Sequence, residues 1–368
     1  MKISSSQKVQ KHTAVTAYLD GKAFNIEGPV MSGSDQFQQS AANDPGLSLS
    51  VVGRRVAPTK QKNRALACYA AAGAIVAGGV VAGLMTEPGL GAVIAATSLP
   101  AILLGYKQMK AATASPNFAP PELKTESQAQ KVLSDSLKAQ KAANPQARQV
   151  AYLSGHGNHK EVAGFKHKAL AEVLQGSPVD MTILDACLCS QLEVVSELAP
   201  FAGLIISSAD IVPNEGLPIE KLFDAEHAPG QMFEECVDAT VSASLIDSKA
   251  VKTKLLPALD TLGKDLAEGL QSDQSSTIKA ALKASESPEH VGERVDMRSF
   301  LAQLKERGLA PESVDGAIAA FDQSILRHHR TPLTFRLDSK KNDSLPPGWT
   351  SFLSSLGKKI KVSHLALL

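Results

Sequence analysis

One stretch constrains the fold more than any other: Met181-Thr182-Ile183-Leu184-Asp185-Ala186-Cys187-Leu188-Cys189-Ser190-Gln191-Leu192-Glu193. It opens as an apolar, β-branched run, which reads as a strand. It closes at helical spacing, with Leu188, Leu192, Val195 and Leu198 on one face. The chain thus passes from strand to helix within a few residues, and Cys187 sits at the junction. Open parallel sheets place their sites at strand C-termini. The positive end of a helix lowers a thiol's pKa. Both features suit a nucleophile.

A base lies upstream. Arg148–Leu153 reads as another strand, and Ser154-Gly155-His156-Gly157 follows it. About thirty residues separate His156 from Cys187, the length of a βαβ unit. A helix at about Lys166–Gln175, stopped by Gly176, fills the crossover. Adjacent parallel strands would bring the two tips side by side, as thiol attack on a carbonyl requires. Gly157 and Cys187 would each supply a backbone N–H to an oxyanion hole, and glycine has no Cβ to obstruct the approach. Alternation puts Asp185 on the same side of its strand as Cys187. Blander readings stand beside these. An isolated cysteine is more often core packing, and Asp185 would serve as an ordinary polar strand end. His159 and His167 read as solvated, and His328-His329 as surface.

Strand–His-Gly, strand–Asp-Ala-Cys-Leu, then Glu193 in the next helix resembles the clostripain-like cysteine peptidases of the caspase-like superfamily. Leu204-Ile205-Ile206-Ser207-Ser208-Ala209-Asp210, then Pro213, Gly216 and Pro218, is similar to that family's next segment. Ala209 stands where the family usually has Glu, and Leu217 where it usually has Trp. Leu245-Ile246-Asp247, Val295-Asp296-Met297 with Phe300-Leu301, and Trp349 with Phe352-Leu353 continue the likeness, which covers about residues 145–356. It implies an α/β fold, a caspase-like and mostly parallel sheet flanked by helices, with a helical C-terminal part. It implies a cysteine endopeptidase with Cys187 as nucleophile, His156 as general base and acid, and Cys189 as packing. Asp185 would line the specificity pocket and select Lys or Arg before the scissile bond by charge pairing. Asp210 is a second candidate acid, Ser208 a substrate-binding neighbour, and Glu193 structural. No cofactor is read from the residues, and calcium enters through the resemblance alone. Self-cleavage is expected at Lys160, Lys166 or Lys168, or in the basic stretch Arg55–Arg64. The alternative is a catalytically dead caspase-like protein that inserts into membranes as an effector or binds a partner.

Composition narrows the partners. The formal net charge is +1 and aromatics make up 4 %, so neither a basic surface nor a base-stacking platform points to nucleic acid. The cysteines, Cys68, Cys187, Cys189 and Cys236, have neither zinc spacing nor the density of a disulfide scaffold. A protein or peptide substrate with a basic P1 residue remains.

The chain divides into four parts. Residues 1–60 read as a disordered leader, with short strands near Val15–Leu19 and Leu47–Val52, no signal-peptide apolar region, and a composition like that of secreted bacterial effectors. Residues 64–107 carry two apolar runs, Ala65–Met85 and Leu90–Tyr106, joined by Thr86-Glu87-Pro88-Gly89. Each run is near the length that spans a hydrocarbon core. Basic flanks (Arg54, Arg55, Lys60, Lys62, Arg64; Lys107, Lys110) orient such an N-terminal hydrophobic hairpin with both ends cytoplasmic. A buried Gly/Ala-rich hairpin is the competing reading. Residues 111–147 read as a linker and a polar helix with a stripe at Ala129, Val132 and Leu137. Residues 148–368 hold the peptidase domain. There Val251, Leu255, Leu259, Leu262, Leu266 and Leu270 predict a long helix kinked at Pro257, followed by a helical stripe from Val314 to Leu326. A late strand at Leu333–Leu337 and a helix at Trp349–Leu356 close the chain.

Overall fold

The computed structural model describes residues 13–20, 47–54, 125–158, 160–212, 217, 229–237, 241–286, 294–338 and 343–359. The apolar hairpin at 65–106 lies outside the described residues. Among the described residues, no helix is long and apolar enough to cross a membrane.

Seven strands form one sheet in the order β10-β8-β7-β6-β3-β1-β2. They are β1 (Thr13–Asp20), β2 (Leu47–Arg54), β3 (Arg148–Ser154), β6 (Val179–Asp185), β7 (Ala202–Ser208), β8 (Ala243–Asp247) and β10 (Ile325–His328). β2, β1, β3, β6 and β7 run parallel, and β8 and β10 each pair antiparallel with their inner neighbour. Two small pairings lie outside the sheet. β4 (Glu161–Val162) turns back on β5 (Phe165–Lys166), and β9 (Arg294–Asp296) pairs with β11 (Thr334–Arg336). The helices are α1 (Glu126–Ala143), α2 (His167–Gly176), α3 (Leu192–Leu198), α4 (Pro229–Cys236), α5 (Leu256–Gly269), α6 (Ser275–Ala284), α7 (Met297–Glu306), α8 (Pro311–Ser324) and α9 (Pro347–Lys359). The expected caspase-like, mostly parallel sheet flanked by helices is present.

β1 and β2 fall at the short strands expected near Val15–Leu19 and Leu47–Val52 in the leader, and both join the central sheet. Thr13 through Leu19 are all buried, and β1 lies between β3 and β2. Its alternation of Thr, Val and Tyr with Ala is a strand pattern, but its partner β3 follows only after a long insertion. Helix α1 fastens these strands to the rest. Thr125 and Gln128 form a reciprocal capping box at its start. Gln140 Nε2 donates to the Val15 carbonyl at 3.2 Å, and Ser136 shares a 2.7 Å hydroxyl contact with Ser50. Leu133, not Val132, continues the buried face, because i, i+4 spacing follows a straight helix better than i, i+3 here.

The long leucine stripe is buried throughout. Its irregularity is a π-helical turn at Val251–Leu255, one turn before Pro257. Proline brings no N–H, and the wider turn re-registers the ladder so that Leu256 N–H reaches the Val251 carbonyl. Helices α5 and α9 cross closely at Gly263, where a Cβ would lie 2.3 Å from the Trp349 nitrogen. Trp349 then packs edge-on against Phe335 at 5.2 Å, and Phe300 and Phe352 complete the cluster. This cluster supports β11, which reaches the site from below.

Candidate active site

The register of β3 on β6 sets the site. Ser154 lies opposite Asp185, and Gly155 N–H extends the pairing to the Asp185 carbonyl at 3.3 Å. Two residues further on each strand stand His156 and Cys187. The chain then folds back: Ala163 N–H donates to His156 O at 2.8 Å and Asn158 N–H to Glu161 O at 2.9 Å. Those bonds flank the Gly157–Val162 bridge, which leaves the Gly157 N–H outside the hairpin ladder. Gly157 lies against the Ala186–Cys189 loop itself. A Cβ there would fall 2.0 Å from the Cys187 carbonyl oxygen and 2.8 Å from Cys189 Sγ. His156 is exposed and Cys187 half-buried.

Asp185 is 4 % exposed and held by three donors. Tyr152 Oη and Ser154 Oγ, from the same face of β3, donate to Oδ2, the second at 3.3 Å. Leu217 N–H donates to Oδ1 at 3.1 Å. Burial outweighs these donors and pushes its pKa from 3.8 to about 6. The sign for stability follows. Between pH 3.8 and about 6 the folded state holds this proton more tightly, so the group's contribution to stability declines as pH rises through that window. Asp210 is half-buried at the end of β7, and its Oδ1 accepts Ile211 N–H at 2.8 Å. Ser208 Oγ donates to Ser242 O at 2.9 Å and accepts Asp210 N–H at 3.2 Å, so it shapes the Asp210 turn.

The thiol departs from expectation. Helix α3 begins at Leu192, several residues beyond Cys187, so the helix terminus is not at the sulfur. Burial raises the Cys187 pKa, the Asp185 and Asp210 carboxylates add to that, and the N–H groups of Val212 and Cys187 itself oppose it. Val212 N–H donates to Sγ at 3.3 Å. Cys189 is fully buried, burial pushes its pKa far up, and it donates to Cys187 O at 3.3 Å.

Several contributors carry no local motif. Tyr152 and Ser154 become partners of Asp185 only through the strand register. The Val212 and Leu217 amides depend on the path of the chain after β7. Ala209 is buried, with its N–H on Ser242 O at 2.6 Å. Glu193 Oε1 accepts Arg336 N–H at 3.0 Å, fastening α3 to β11. Among the described residues, no group of three or more His, Cys, Asp or Glu side chains could hold a metal ion.

A mostly parallel sheet with a cysteine after one central strand and a His-Gly turn after its neighbour is a caspase-like architecture. Residues 132–301, from within α1 to within α7, match the clostripain family. No curated protein matches the sequence. Solved structures share the fold over nearly the whole chain. An inactive zymogen C11 protease from Parabacteroides distasonis is 13 % identical, with 96 % of this chain and 97 % of that chain covered and a TM-score of 0.55. The secreted C11 cysteine protease "iotapain" from Bacteroides thetaiotaomicron is 12 % identical, with 93 % and 99 % covered and a TM-score of 0.56. A secreted C11 cysteine protease from the same organism, in complex with an irreversible peptide inhibitor, is 10 % identical, with 94 % and 98 % covered and a TM-score of 0.52.

Proposed function

We propose that the chain is an endopeptidase that cleaves after Lys or Arg through a Cys187–His156 dyad. The contact of Gly157 with the Cys187 carbonyl carries this reading, because it brings the His-Gly turn onto the loop that bears the thiol. His156 takes the Cys187 proton as Sγ attacks the substrate carbonyl carbon. The oxyanion that forms accepts hydrogen bonds from the Gly157 and Cys187 amides. Collapse breaks the C–N bond, and His156 gives its proton to the departing amine. Water, deprotonated by His156, then attacks the thioester carbonyl and releases the acid and the thiol.

Asp185 supplies the charge for a basic P1 side chain. A substrate cation would take the place of the neutral donors that now surround it, and charge-assisted bonds are worth about 1.5–3 kcal/mol. Asp185→Ala is expected to lower kcat/KM for Arg substrates at least about tenfold and for an uncharged P1 much less. In the wild type, the preference for Arg over an uncharged P1 should hold above pH 6 and fade below it, as the carboxyl takes up its proton. Peptide libraries assayed across pH check both. A preference for acidic P1, or self-cleavage after acidic residues, would remove Asp185 from the pocket. Exposed Lys160, Lys166 and Lys168 on and beside the β4–β5 hairpin are the self-cut sites nearest His156.

The apolar runs at 65–106 support a second element of the proposal, association with membranes. Carbonate extraction of full-length protein should leave it in the pellet, whereas a chain lacking 65–106 should be released. Release of both forms would favour a buried hairpin.

A further inference from the structure

Leu188, the residue after the nucleophile, has φ +62°. For a residue with a Cβ this left-handed conformation is strained, and it persists only where neighbours hold it. Both of its peptide groups are held. Leu188 N–H donates to Asp210 O at 3.0 Å. Leu188 O accepts a close hydrogen bond from Gln191 Nε2.

Gln191 is built as a fixed post. It is fully buried. Its carbonyl accepts Val195 N–H at 2.9 Å, the first bond of α3, and its backbone bridges Thr334 of β11. The preceding Ser190 is fixed on every side. Its N–H donates to Ser208 O at 2.7 Å, its carbonyl accepts Thr334 N–H at 3.0 Å, and its hydroxyl donates to Pro332 O at 2.6 Å. Gln191 Oε1, however, is buried with no hydrogen-bond partner among the described residues. An apolar side chain of the same length would avoid the cost of that orphaned oxygen. What the carboxamide supplies is its N–H donor, and that donor goes to Leu188.

We infer that Gln191 is a positioning residue for the nucleophile. Its carboxamide holds the Leu188 peptide left-handed, so that the Cys187 carbonyl stays against Gly157 and the Cys187 thiol and amide face the cleft. This rests on the assignment of Cys187 as nucleophile. If Leu188 relaxed to negative φ, the peptide between Cys187 and Leu188 would rotate, and the contact with Gly157 would open.

Full-length Gln191→Met and Gln191→Glu test this with a peptide substrate, alongside iodoacetamide labelling mapped by peptide mass. Gln191→Met, which keeps length and loses the donor, is expected to lower kcat about 10- to 100-fold and leave KM within about twofold. Adding Leu188→Gly should restore most of that kcat, because glycine adopts positive φ without strain. Gln191→Glu adds a pH signature. Protonated Glu can donate to Leu188 O, and ionised Glu repels it, so the ratio of its kcat to wild type should fall as pH rises. A residue that only supported the fold would give neither the glycine rescue nor that ratio. Unchanged kcat in Gln191→Met, or a loss that Leu188→Gly does not restore together with a flat Gln191→Glu ratio, overturns the inference while labelling still falls on Cys187. Labelling and activity that follow Cys189 instead overturn the nucleophile assignment itself.

Discussion

Cys187→Ala is expected to reduce peptide hydrolysis by on the order of 10⁴-fold or more, while the protein unfolds cooperatively close to the wild-type temperature. The substitution removes one half-buried sulfur that accepts the Val212 backbone N–H. It opens no core cavity and leaves the β6 pairing intact. His156→Ala should cost about 10²–10⁴-fold, the range of a lost general acid and base, with little effect on stability because the side chain is exposed. Cys189→Ala should behave in the opposite way. That sulfur is fully buried and touches the Cys187 carbonyl, so its loss costs stability first and activity only through the loop. Hydrolysis rates and thermal unfolding of the three variants separate the roles. Near-normal rates in Cys187→Ala, with loss in Cys189→Ala, would exchange the two thiols.

The raised thiol pKa shapes the expected chemistry of the free protein. Burial, not a helix terminus, governs Cys187, so the proposed dyad would need His156 to take the thiol proton as substrate binds. Val212 N–H points at the thiol and Leu217 N–H at Asp185.

What could be read from the sequence follows how local the information is. β3, β6, β7 and the helices between them announce themselves through unbroken β-branched runs and clear helical spacing, and the family likeness orders them. β1 and β2 were visible only as short strand-like patches. What makes them sheet strands is the pairing of β1 with β3 across a long insertion, the pairing of β2 with β1, and docking on α1 through Gln140 and Ser136. Cys187 and His156 could be named because each follows a strand. Their electrostatics could not, since α3 starts only at Leu192 and the depth of the loop is a tertiary property. Asp185 could be placed on a face by alternation. Its burial and its partners Tyr152 and Leu217 required the register and the path after β7. β10 read as the end of a helix, because Ile325 and Leu326 continue the α8 spacing. Pairing with β8 overrides that local pattern.

Gly157→Ala is the second substitution with a large expected effect. The sequence argues for glycine here on the ground of substrate approach, and the structure supplies a nearer reason. The missing Cβ position is already occupied: Cys187 O lies 2.0 Å from it, Cys189 Sγ 2.8 Å and the Ala186 Cβ 3.0 Å. None of these is a flexible side-chain end. The Cys187 carbonyl is fixed by the strand before it and by the strained Leu188 peptide after it. Relief therefore requires the His156–Gly157 turn to lift from the loop or the loop to shift with its thiol. A displacement near 1 Å between reacting groups can cost about 10²-fold, and loss of an oxyanion donor costs about 10²–10³-fold. The two losses have one cause and are not additive, so Gly157→Ala should fall about 10²–10³-fold in kcat/KM. Overpacking should cost about 1–3 kcal/mol of stability, read by urea unfolding. Gly316→Ala is the control. A Cβ there meets nothing within 4 Å on an exposed turn of α8, so it should raise stability by about 0.5–1 kcal/mol and leave hydrolysis unchanged. Wild-type kinetics in Gly157→Ala would mean that the His-Gly turn does not rest on the Cys187 carbonyl in solution, and the dyad and oxyanion assignments would lose their common support.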